Sequence, residues 1–425
     1  FDHYFVQNPV CMPSRASFLT SQYPSTLGIT HMGVPLPEET LTLPRMTANA
    51  GYVSANIGKL HFRPHGNRDH RAVHPRYGFD HLEISEDPGS YEDAYRAWVR
   101  AQAPDQLDRV SVGLPPATAA WQKLMHIDDG IVHPNERFPL AAIPFRGSPE
   151  FTHTAFVADQ TLEFIRAHRG SNWLCVAGFF SPHSPWVAPQ PFLDLYDPAS
   201  LRLPVFPPEV EAKRAASPFS DDVLRAARHG YYAMVSEVDH HVGRILAALE
   251  REGLAEETLI VFTSDHGDWL GEHLRNGKGY PGPDCVSRVP LIIRPAGGAP
   301  AGGRRVEAIV EAVDVIPTLL ECCAIQAPPS VQGRSLAGWL RGESEPERAG
   351  ALMEHAGWKT LRTRRYRYVA EAGGNERLFD LENDPGEYRD VAGDAAYAEA
   401  LGEMRRLLLQ RVIENERPLP RVWPY

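Results

Sequence analysis

Short apolar runs that alternate with longer segments of helical spacing constrain this sequence most. The runs at 51–57, 173–180 and 258–263 are rich in β-branched and apolar residues and end at Gly, Ser or Pro, as buried strands do. Helical periodicity appears at 156–166, 222–252, 313–323 and 396–412. Buried strands alternating with helices predict an α/β fold, a mostly parallel sheet sandwiched between helices.

The pattern changes towards the end of the chain. The runs 352–355, 360–369 and 377–381 follow one another at short spacing, which predicts a small antiparallel sheet followed by a terminal helix. A Pro-Pro-Ser stretch at 328–330 marks a candidate linker. We therefore expect a catalytic α/β domain over 1–330 and a C-terminal α+β subdomain over 331–425.

Charge and composition narrow the choice of partners. The chain has 43 Lys and Arg against 54 Asp and Glu, a net charge of −11, which disfavours a nucleic-acid partner. Its longest apolar run, 173–180, is far shorter than the ~18 residues of a membrane span, so none is expected. Five cysteines without paired spacing indicate no disulfide framework. No targeting signal is readable, which leaves cytoplasm and periplasm both open.

Titratable side chains follow each predicted strand. Lys59 and His61 follow the first run, His183 follows the second, and Asp265 and His266 follow the third. Ligands of open α/β sheets bind beyond the carboxyl ends of the strands, so these groups are expected along one rim. Taken singly each has an ordinary interpretation, such as a turn residue or a capped turn, and only their coincidence favours a site.

A fourth segment, CMPSR at 11–15, adds an anion site. Proline is well tolerated in a first helical turn, which predicts that Cys11 lies at the N-terminus of a helix running through Phe18 and Thr20. Unpaired N–H groups there attract anions, and Arg15 adds a fixed positive charge. With Lys59 and Lys278, the set suits a tetrahedral oxyanion. A lone cysteine is, however, more often a buried small hydrophobe.

These segments together resemble the formylglycine-dependent sulfatases of the alkaline phosphatase superfamily. CMPSR, with the following Phe-Leu-Thr and Tyr-Pro, is similar to the family's modification signature and is the most specific of the matches. The remaining segments that resemble family motifs are GYVSANIGKLH at 51–61, SPHSP at 181–185, DHG at 265–267, LGEH at 270–273, Lys278 with SRVPL at 287–291, and LFDLENDPGE at 378–387. The resemblance covers nearly the whole chain.

The resemblance implies a cofactor and a modified nucleophile. Cys11 would be oxidised to formylglycine by a formylglycine-generating maturase, and the hydrated gem-diol would attack the sulfur of a small sulfate ester. Asp265, His266 and the modified Cys11 would bind one divalent cation, Ca²⁺ in first place, with Mn²⁺ or Mg²⁺ as alternatives.

The resemblance also implies roles for the remaining residues. Arg15 would hold the diol, and Lys59, Lys278 and His183 would bind the sulfate oxygens. His183 would also protonate the leaving alcohol, and His61 would be the base that lets the covalent sulfate leave.

One departure concerns the start of the chain. The family begins with an apolar strand ending in paired aspartates that complete the metal site, whereas this sequence opens at Phe1, ten residues before Cys11. We therefore expect an N-terminally truncated sequence, with roughly 40 to 60 further residues upstream, the size of a strand-plus-helix unit. The sequence as it stands would then be a poor catalyst.

Other functions fit part of the pattern. A phosphonate or phosphate ester hydrolase of the same superfamily shares the formylglycine and the DHG segment. A catalytically inactive relative would keep the fold without the metal site. A cysteine phosphatase is disfavoured, because its C-x5-R spacing would need Arg where Ser17 stands. No G-x-S-x-G segment supports a serine hydrolase.

Overall fold

The computed structural model describes residues 1–64, 72–114, 118–125, 130–134, 140–298 and 303–416. The strands are β1 (His3–Phe5), β2 (Val53–Gly58), β3 (His81–Ile84), β4 (Ile143–Pro144), β5 (Trp173–Gly178), β6 (Val187–Ala188), β7 (Ile260–Thr263), β8 (Leu291–Arg294), β9 (Ile309–Glu311), β10 (Ala351–His355), β11 (Trp358–Arg362), β12 (Tyr366–Glu371) and β13 (Glu376–Asp380).

The helices follow the same chain order. They are α1 (Cys11–Thr20), α2 (Pro24–Leu27), α3 (Leu43–Ala48), α4 (Ala94–Gln102), α5 (Ala119–Met125), α6 (His153–His168), α7 (Gln190–Leu193), α8 (Pro208–Arg214), α9 (Asp221–Arg251), α10 (Asp284–Ser287), α11 (Val315–Cys322), α12 (Ala337–Arg341) and α13 (Ala398–Asn415). Among the described residues, no helix combines the length and the apolar character that crossing a bilayer requires.

The chain forms two compact units. The first unit comprises Phe1–Thr47, Glu257–Trp269 and Lys278–Tyr425, and the second comprises Ala48–Glu256 and Leu270–Gly277. The domain boundary expected near residue 330 stays a prediction.

The second unit is built on a parallel sheet of order β3-β2-β5. β2 pairs with β5 from Val53 opposite Trp173 to Gly58 opposite Gly178. Both strands end where the predicted runs ended, to within two residues, and α6 includes the predicted helix at 156–166. Apolar side chains of β2, α4 and α6 form one core.

Two glycines let the backbone carry Lys59 across the end of this sheet. A Cβ on Gly58, whose φ is +87°, would lie 2.3 Å from the carbonyl oxygen of Gly178. A Cβ on Gly178 would lie 2.2 Å from the carbonyl oxygen of Lys59. No side chain fits either contact, so the Gly-Lys step after β2 depends on glycine on both strands.

The first unit contains a second set of paired strands. β1 pairs in parallel with β9, and Phe5 forms an antiparallel bridge with Arg288. β7 pairs with β8 in the antiparallel sense, which the alternation of strands and helices did not predict. Since β1 and β7 both run antiparallel to the segment 288–294, they run in the same direction. Their carboxyl ends therefore lead to Cys11 and Asp265 at one edge.

The end of the chain forms the predicted antiparallel sheet and terminal helix. β10, β11, β12 and β13 pair in sequence order, each antiparallel to the next, and α13 follows. Leu352, Leu361, Leu378, Met404 and Leu408 are buried together, which packs α13 onto one face of the sheet. The predicted fold class, an α/β protein with a C-terminal α+β subdomain, is confirmed.

Candidate active site

Cys11 begins helix α1, as the sequence predicted. Val10, the residue before it, has an extended backbone, and the first helical hydrogen bond runs from the Ser14 N–H to the Val10 carbonyl. The Cys11 side chain is buried. Its position on the first turn places it where a helix presents backbone N–H groups that are not used inside the helix, which favours an anion there.

Two basic side chains of the first unit converge on the Cys11 sulfur. Lys278 Nζ lies 2.7 Å from Cys11 Sγ, and His266 Nε2 lies 3.1 Å from the same atom. The positive charge of Lys278 reinforces the helix N-terminus. Lys278 and the N-terminus of α1 would therefore stabilise an oxygen or sulfur anion at position 11.

The hydrogen bond made by Nδ1 shows which ring nitrogen of His266 carries a hydrogen. Nδ1 lies 2.7 Å from the carbonyl oxygen of Gly267, and a carbonyl only accepts, so Nδ1 carries the hydrogen. Nε2, the other ring nitrogen, faces Cys11 Sγ and carries a lone pair whenever the ring is neutral. A histidine held in this way is suited to bind a cation through Nε2.

Asp265 is held by two residues of helix α1. Arg15 Nε donates to Asp265 Oδ2 over 2.6 Å, and the Ser14 hydroxyl donates to the Asp265 carbonyl over 2.5 Å. The ion pair is mostly buried, with each side chain 17% exposed. The helix that bears Cys11 thus also orients the acidic side chain beside it. The role of Ser14 was missed in the sequence, although it lies within the CMPSR segment.

The donor atoms of Cys11, Asp265 and His266 form a compact set. Cys11 Sγ, a carboxylate oxygen of Asp265 and a ring nitrogen of His266 all lie within 4.8 Å of one another. Such a set of one carboxylate, one imidazole and one further polar atom fits a divalent cation. The second carboxylate oxygen of Asp265, Oδ1, lies 3.8 Å from His266 Nε2.

Gly267 lets the Asp-His segment approach its neighbour closely. Its N–H donates to the carbonyl of Val286 over 2.7 Å, and a Cβ there would lie 2.1 Å from the carbonyl oxygen of Cys285. Only glycine fits this contact, which explains the third residue of the DHG segment in physical terms.

The other predicted site residues belong to the second unit. Lys59 is buried, and its ammonium lies 5.5 Å from the centre of the Phe180 ring. The His183 ring is tilted against the same phenyl ring, with ring centres 4.9 Å apart, and its Nδ1 donates to the Ser184 carbonyl over 2.6 Å. Lys59 and His183 are thus brought to one place by Phe180.

His61 adopts a backbone conformation that is rare outside glycine. Its φ is +57°, and its N–H donates to Glu86 Oε1 over 2.5 Å. The buried Glu86 supports this conformation; no feature of the sequence pointed to it, since it lies 25 residues further on. Such strain is commonly retained at functional positions. The predicted convergence of Lys59, His61 and His183 with Lys278 on one oxyanion stays a prediction.

The sulfatase family model matches residues 1–325, and a model described as the C-terminal region of N-sulphoglucosamine sulphohydrolase matches residues 284–414. The chain therefore belongs to the sulfatase family, within the alkaline phosphatase superfamily. As predicted, it is a sulfuric ester hydrolase by family.

Individual relatives agree with this assignment. The chain is 28% identical to the multifunctional alkaline phosphatase superfamily protein PehA of Trinickia caryophylli, over 91% of this chain and 82% of that protein. It is 26% identical to an arylsulfatase of Clostridium perfringens, over 98% of this chain and 87% of that protein. The solved phosphonate monoester hydrolase of Silicibacter pomeroyi superposes with a TM-score of 0.79 at 28% identity, covering 98% of this chain and 88% of that one.

Proposed function

We propose that the protein hydrolyses small sulfate monoesters with a nucleophile made from Cys11. The observation that carries this proposal is the convergence of Lys278 Nζ and His266 Nε2 on Cys11 Sγ at the start of helix α1. A buried cysteine that served only as core filler would not gather two basic groups around its sulfur. Oxidised to formylglycine, residue 11 would supply as its hydrate an oxygen nucleophile, with a second hydroxyl that allows sulfate to leave.

Asp265, His266 and residue 11 would hold the divalent cation of this reaction. Their donor atoms lie close enough together for one ion, and the Nδ1 contact with the Gly267 carbonyl leaves Nε2 of His266 as the nitrogen that would bind it. The cation would neutralise negative charge on the ester oxygens and make the diol more acidic. The carboxylate favours Ca²⁺ or Mg²⁺, and the imidazole also admits Mn²⁺.

In this proposal the remaining residues stabilise charge, bind the sulfate group and transfer protons. Arg15 keeps Asp265 oriented, and we retain for it the role of holding the diol that the family resemblance implies. Lys278 holds the negative charge that develops around residue 11. For Lys59, His61 and His183 we retain the roles that the family resemblance implies: sulfate binding by Lys59 and His183, protonation of the leaving alcohol by His183, and base catalysis by His61.

Mass spectrometry and one enzyme assay test the nucleophile. The protein is made with and without a formylglycine-generating maturase, and the tryptic peptide ending at Arg15 is weighed in both. We expect the aldehyde mass only with the maturase, together with hydrolysis of an aryl sulfate. Cys11→Ser should lose nearly all turnover, and Cys322→Ser, at an exposed position, should keep it. A thiol mass alone with the maturase present would overturn the formylglycine step.

The cation is tested by removal and return. Exhaustive chelation should abolish turnover and lower the melting temperature, and Ca²⁺, Mn²⁺ or Mg²⁺ added singly should show which ion restores both. Asp265→Asn should weaken the metal-dependent rise in melting temperature, a readout that does not depend on turnover. Full activity after chelation would contradict a metal-dependent reaction.

A second candidate is hydrolysis of phosphonate or phosphate esters. The observation that favours it is the similarity to the phosphonate monoester hydrolase of Silicibacter pomeroyi. Sulfate and phosphonate monoesters carry one negative charge, whereas a phosphate monoester carries up to two, so a site tuned to one charge disfavours the last. We would measure kcat/KM for aryl sulfate, aryl phosphonate and aryl phosphate esters on the same preparation. The three values show which ester the enzyme prefers.

A further inference from the structure

One short segment of the first unit touches both parts of the candidate active site. The N–H of Val6, on the stretch leading to Cys11, donates to the Ser287 carbonyl over 3.0 Å. The N–H of Gly267, next to His266, donates to the Val286 carbonyl over 2.7 Å. The segment 284–289 therefore bridges the cysteine-bearing and the aspartate-bearing stretches through adjacent carbonyl groups.

Asp284 anchors this bridging segment to the C-terminal sheet. Arg362, at the end of β11, donates from Nε and a terminal nitrogen to the two carboxylate oxygens of Asp284, over 3.0 and 2.9 Å. Arg367, in β12, donates to Asp284 Oδ1 over 2.5 Å. Burial alone would raise the pKa of Asp284, but the charges of Arg367 and Arg362 outweigh it and lower the pKa to about 2. The carboxylate is therefore ionised whenever the protein is folded at ordinary pH.

Glu387 completes the anchor from the LFDLENDPGE segment. Its Oε1 accepts the N–H of Asp284 over 2.8 Å, and its Oε2 lies 2.5 Å from Arg367 Nε. The Arg367 side chain is fully buried, and the Glu387 side chain nearly so. Glu387 also has a left-handed backbone, with φ +60°, which aims its carboxylate at this point.

The ion pairs around Asp284 orient the chain more than they stabilise the fold. Buried ion pairs contribute little net stability relative to packed apolar side chains, since each charge must be removed from water. The two-point contact of Arg362 with the Asp284 carboxylate instead fixes angle and distance. The result is a rigid link from the C-terminal sheet to the backbone that positions Gly267 and Val6.

We propose that Asp284, Arg367 and Glu387 are positioning residues of the active site. They hold the segment 284–289 so that Cys11 and His266 keep their mutual geometry. The proposal rests on the proposed function for its kinetic effect, but its structural effect is measurable without turnover.

Asp284→Asn tests the ionic part of the anchor. An amide keeps the size of the side chain and removes the charge that meets Arg362 and Arg367. We expect kcat to fall by about 10-fold to 100-fold, the cost of a small misplacement in an active site, with a smaller change in KM. Amide exchange in the peptide containing Gly267 should accelerate, because the Gly267 N–H loses its fixed acceptor.

Two substitutions at Glu387 separate the effect of its charge from the effect of its hydrogen bond. Glu387→Gln keeps an oxygen that accepts the Asp284 N–H but loses the charge beside Arg367, and Glu387→Ala loses both. Positioning predicts a graded loss of kcat, smaller for Gln than for Ala. Glu376→Gln is the matched control, since its ion pair with Arg405 lies at the surface of the same sheet. That variant should match the wild type in kcat and in exchange at Gly267.

The readouts distinguish failure of the positioning proposal from failure of the proposed function. Faster exchange at Gly267 in Asp284→Asn, in a protein whose wild type hydrolyses no ester, would support the positioning and reject the function. An active wild type with Asp284→Asn and Glu387→Ala unchanged in kcat and exchange would reject the positioning alone. The positioning proposal would also be overturned if kcat fell only in proportion to a lower melting temperature while exchange at Gly267 stayed unchanged.

Discussion

Lys278 Nζ lies 2.7 Å from Cys11 Sγ, although 267 positions separate the two residues in the sequence. The contact places a positive charge where the nucleophile of a sulfatase would develop negative charge. His266 approaches the same sulfur from another part of the chain. Two basic side chains thus contact one buried sulfur atom, which is why Cys11 is the candidate nucleophile.

Replacing Lys278 should mainly affect the chemical step. Lys278→Ala removes the charge nearest to residue 11, and we expect kcat to fall by about 100-fold to 1000-fold, the usual cost of losing one electrostatic stabiliser. KM should rise less, since the charge serves the transition state more than the bound ester. Lys278→Arg should retain part of the activity, and Lys213→Ala, on the exposed face of α8, should retain all of it. Equal losses in kcat and 1/KM would contradict this role.

Gly267→Ala should disable the site through its backbone. The added methyl group would lie 2.1 Å from the Cys285 carbonyl oxygen, so the Asp265–Gly267 stretch must shift. We expect turnover to fall by about 100-fold. Gly402→Ala is the control, because a Cβ there meets nothing within 4 Å on an exposed position of α13. It should raise the unfolding free energy by about 0.5–1 kcal/mol and leave turnover unchanged. Wild-type turnover in Gly267→Ala would show that the close approach is not required.

Much of this architecture could be predicted because local patterns specify it. The runs at 173–180 and 258–263 became β5 and β7, and the periodic segment 222–252 became the 31-residue helix α9. Proline in the first turn also predicted the start of α1 correctly. Each of these features depends on residues close together in the sequence, and periodicity records such features directly.

Features that depend on distant partners were not predictable. The antiparallel pairing of β7 with β8 is set by which strands meet in space, and neither strand carries a sign of it. Asp284, Arg367 and Glu387 are common surface residue types, and Asp284 lies 83 positions from Arg367 and 103 positions from Glu387. Their role becomes visible only when the fold brings them together, because charged residues have no periodic signature when they are buried in pairs.

Arg411 should be important for stability rather than for turnover. Its guanidinium lies 3.0 Å from Glu311 Oε2 and 2.8 Å from the hydroxyl of Tyr23, all buried. Removing one partner of a buried ion pair costs about 3–5 kcal/mol. Arg411→Met should lower the unfolding free energy by about 3 kcal/mol, the lower end of this range, because Arg348 still contacts Glu311. Arg406→Met, on the exposed face of α13, should change it by less than about 0.5 kcal/mol. Denaturant titration measures both, and equal values would contradict the importance of the buried pair.

Glu237 gives the protein a pH-dependent stability that is independent of the metal. It is buried in the middle of α9, and burial raises the pKa of its carboxyl to about 7, although the hydroxyls of Thr152 and Thr154 favour the charged form. The folded protein therefore binds this proton more tightly than the unfolded chain, whose pKa is near 4.5. The stabilisation is fully present below pH 4.5 and is lost as pH rises to about 7, with no further change above.

Glu237→Gln should remove this dependence, because glutamine has the size of the neutral acid and no proton to lose. The unfolding free energy of Glu237→Gln minus that of the wild type should increase progressively between about pH 4.5 and 7 and stay constant above. For a pKa shift of this size the total increase is on the order of 3 kcal/mol. Glu250→Gln, at an exposed position on the same helix, should show no such pH-dependent gain. Denaturant titrations at several pH values, on metal-free protein, measure the difference. A constant offset between Glu237→Gln and wild type at every pH would mean that the pKa of Glu237 is the same in the folded and the unfolded protein.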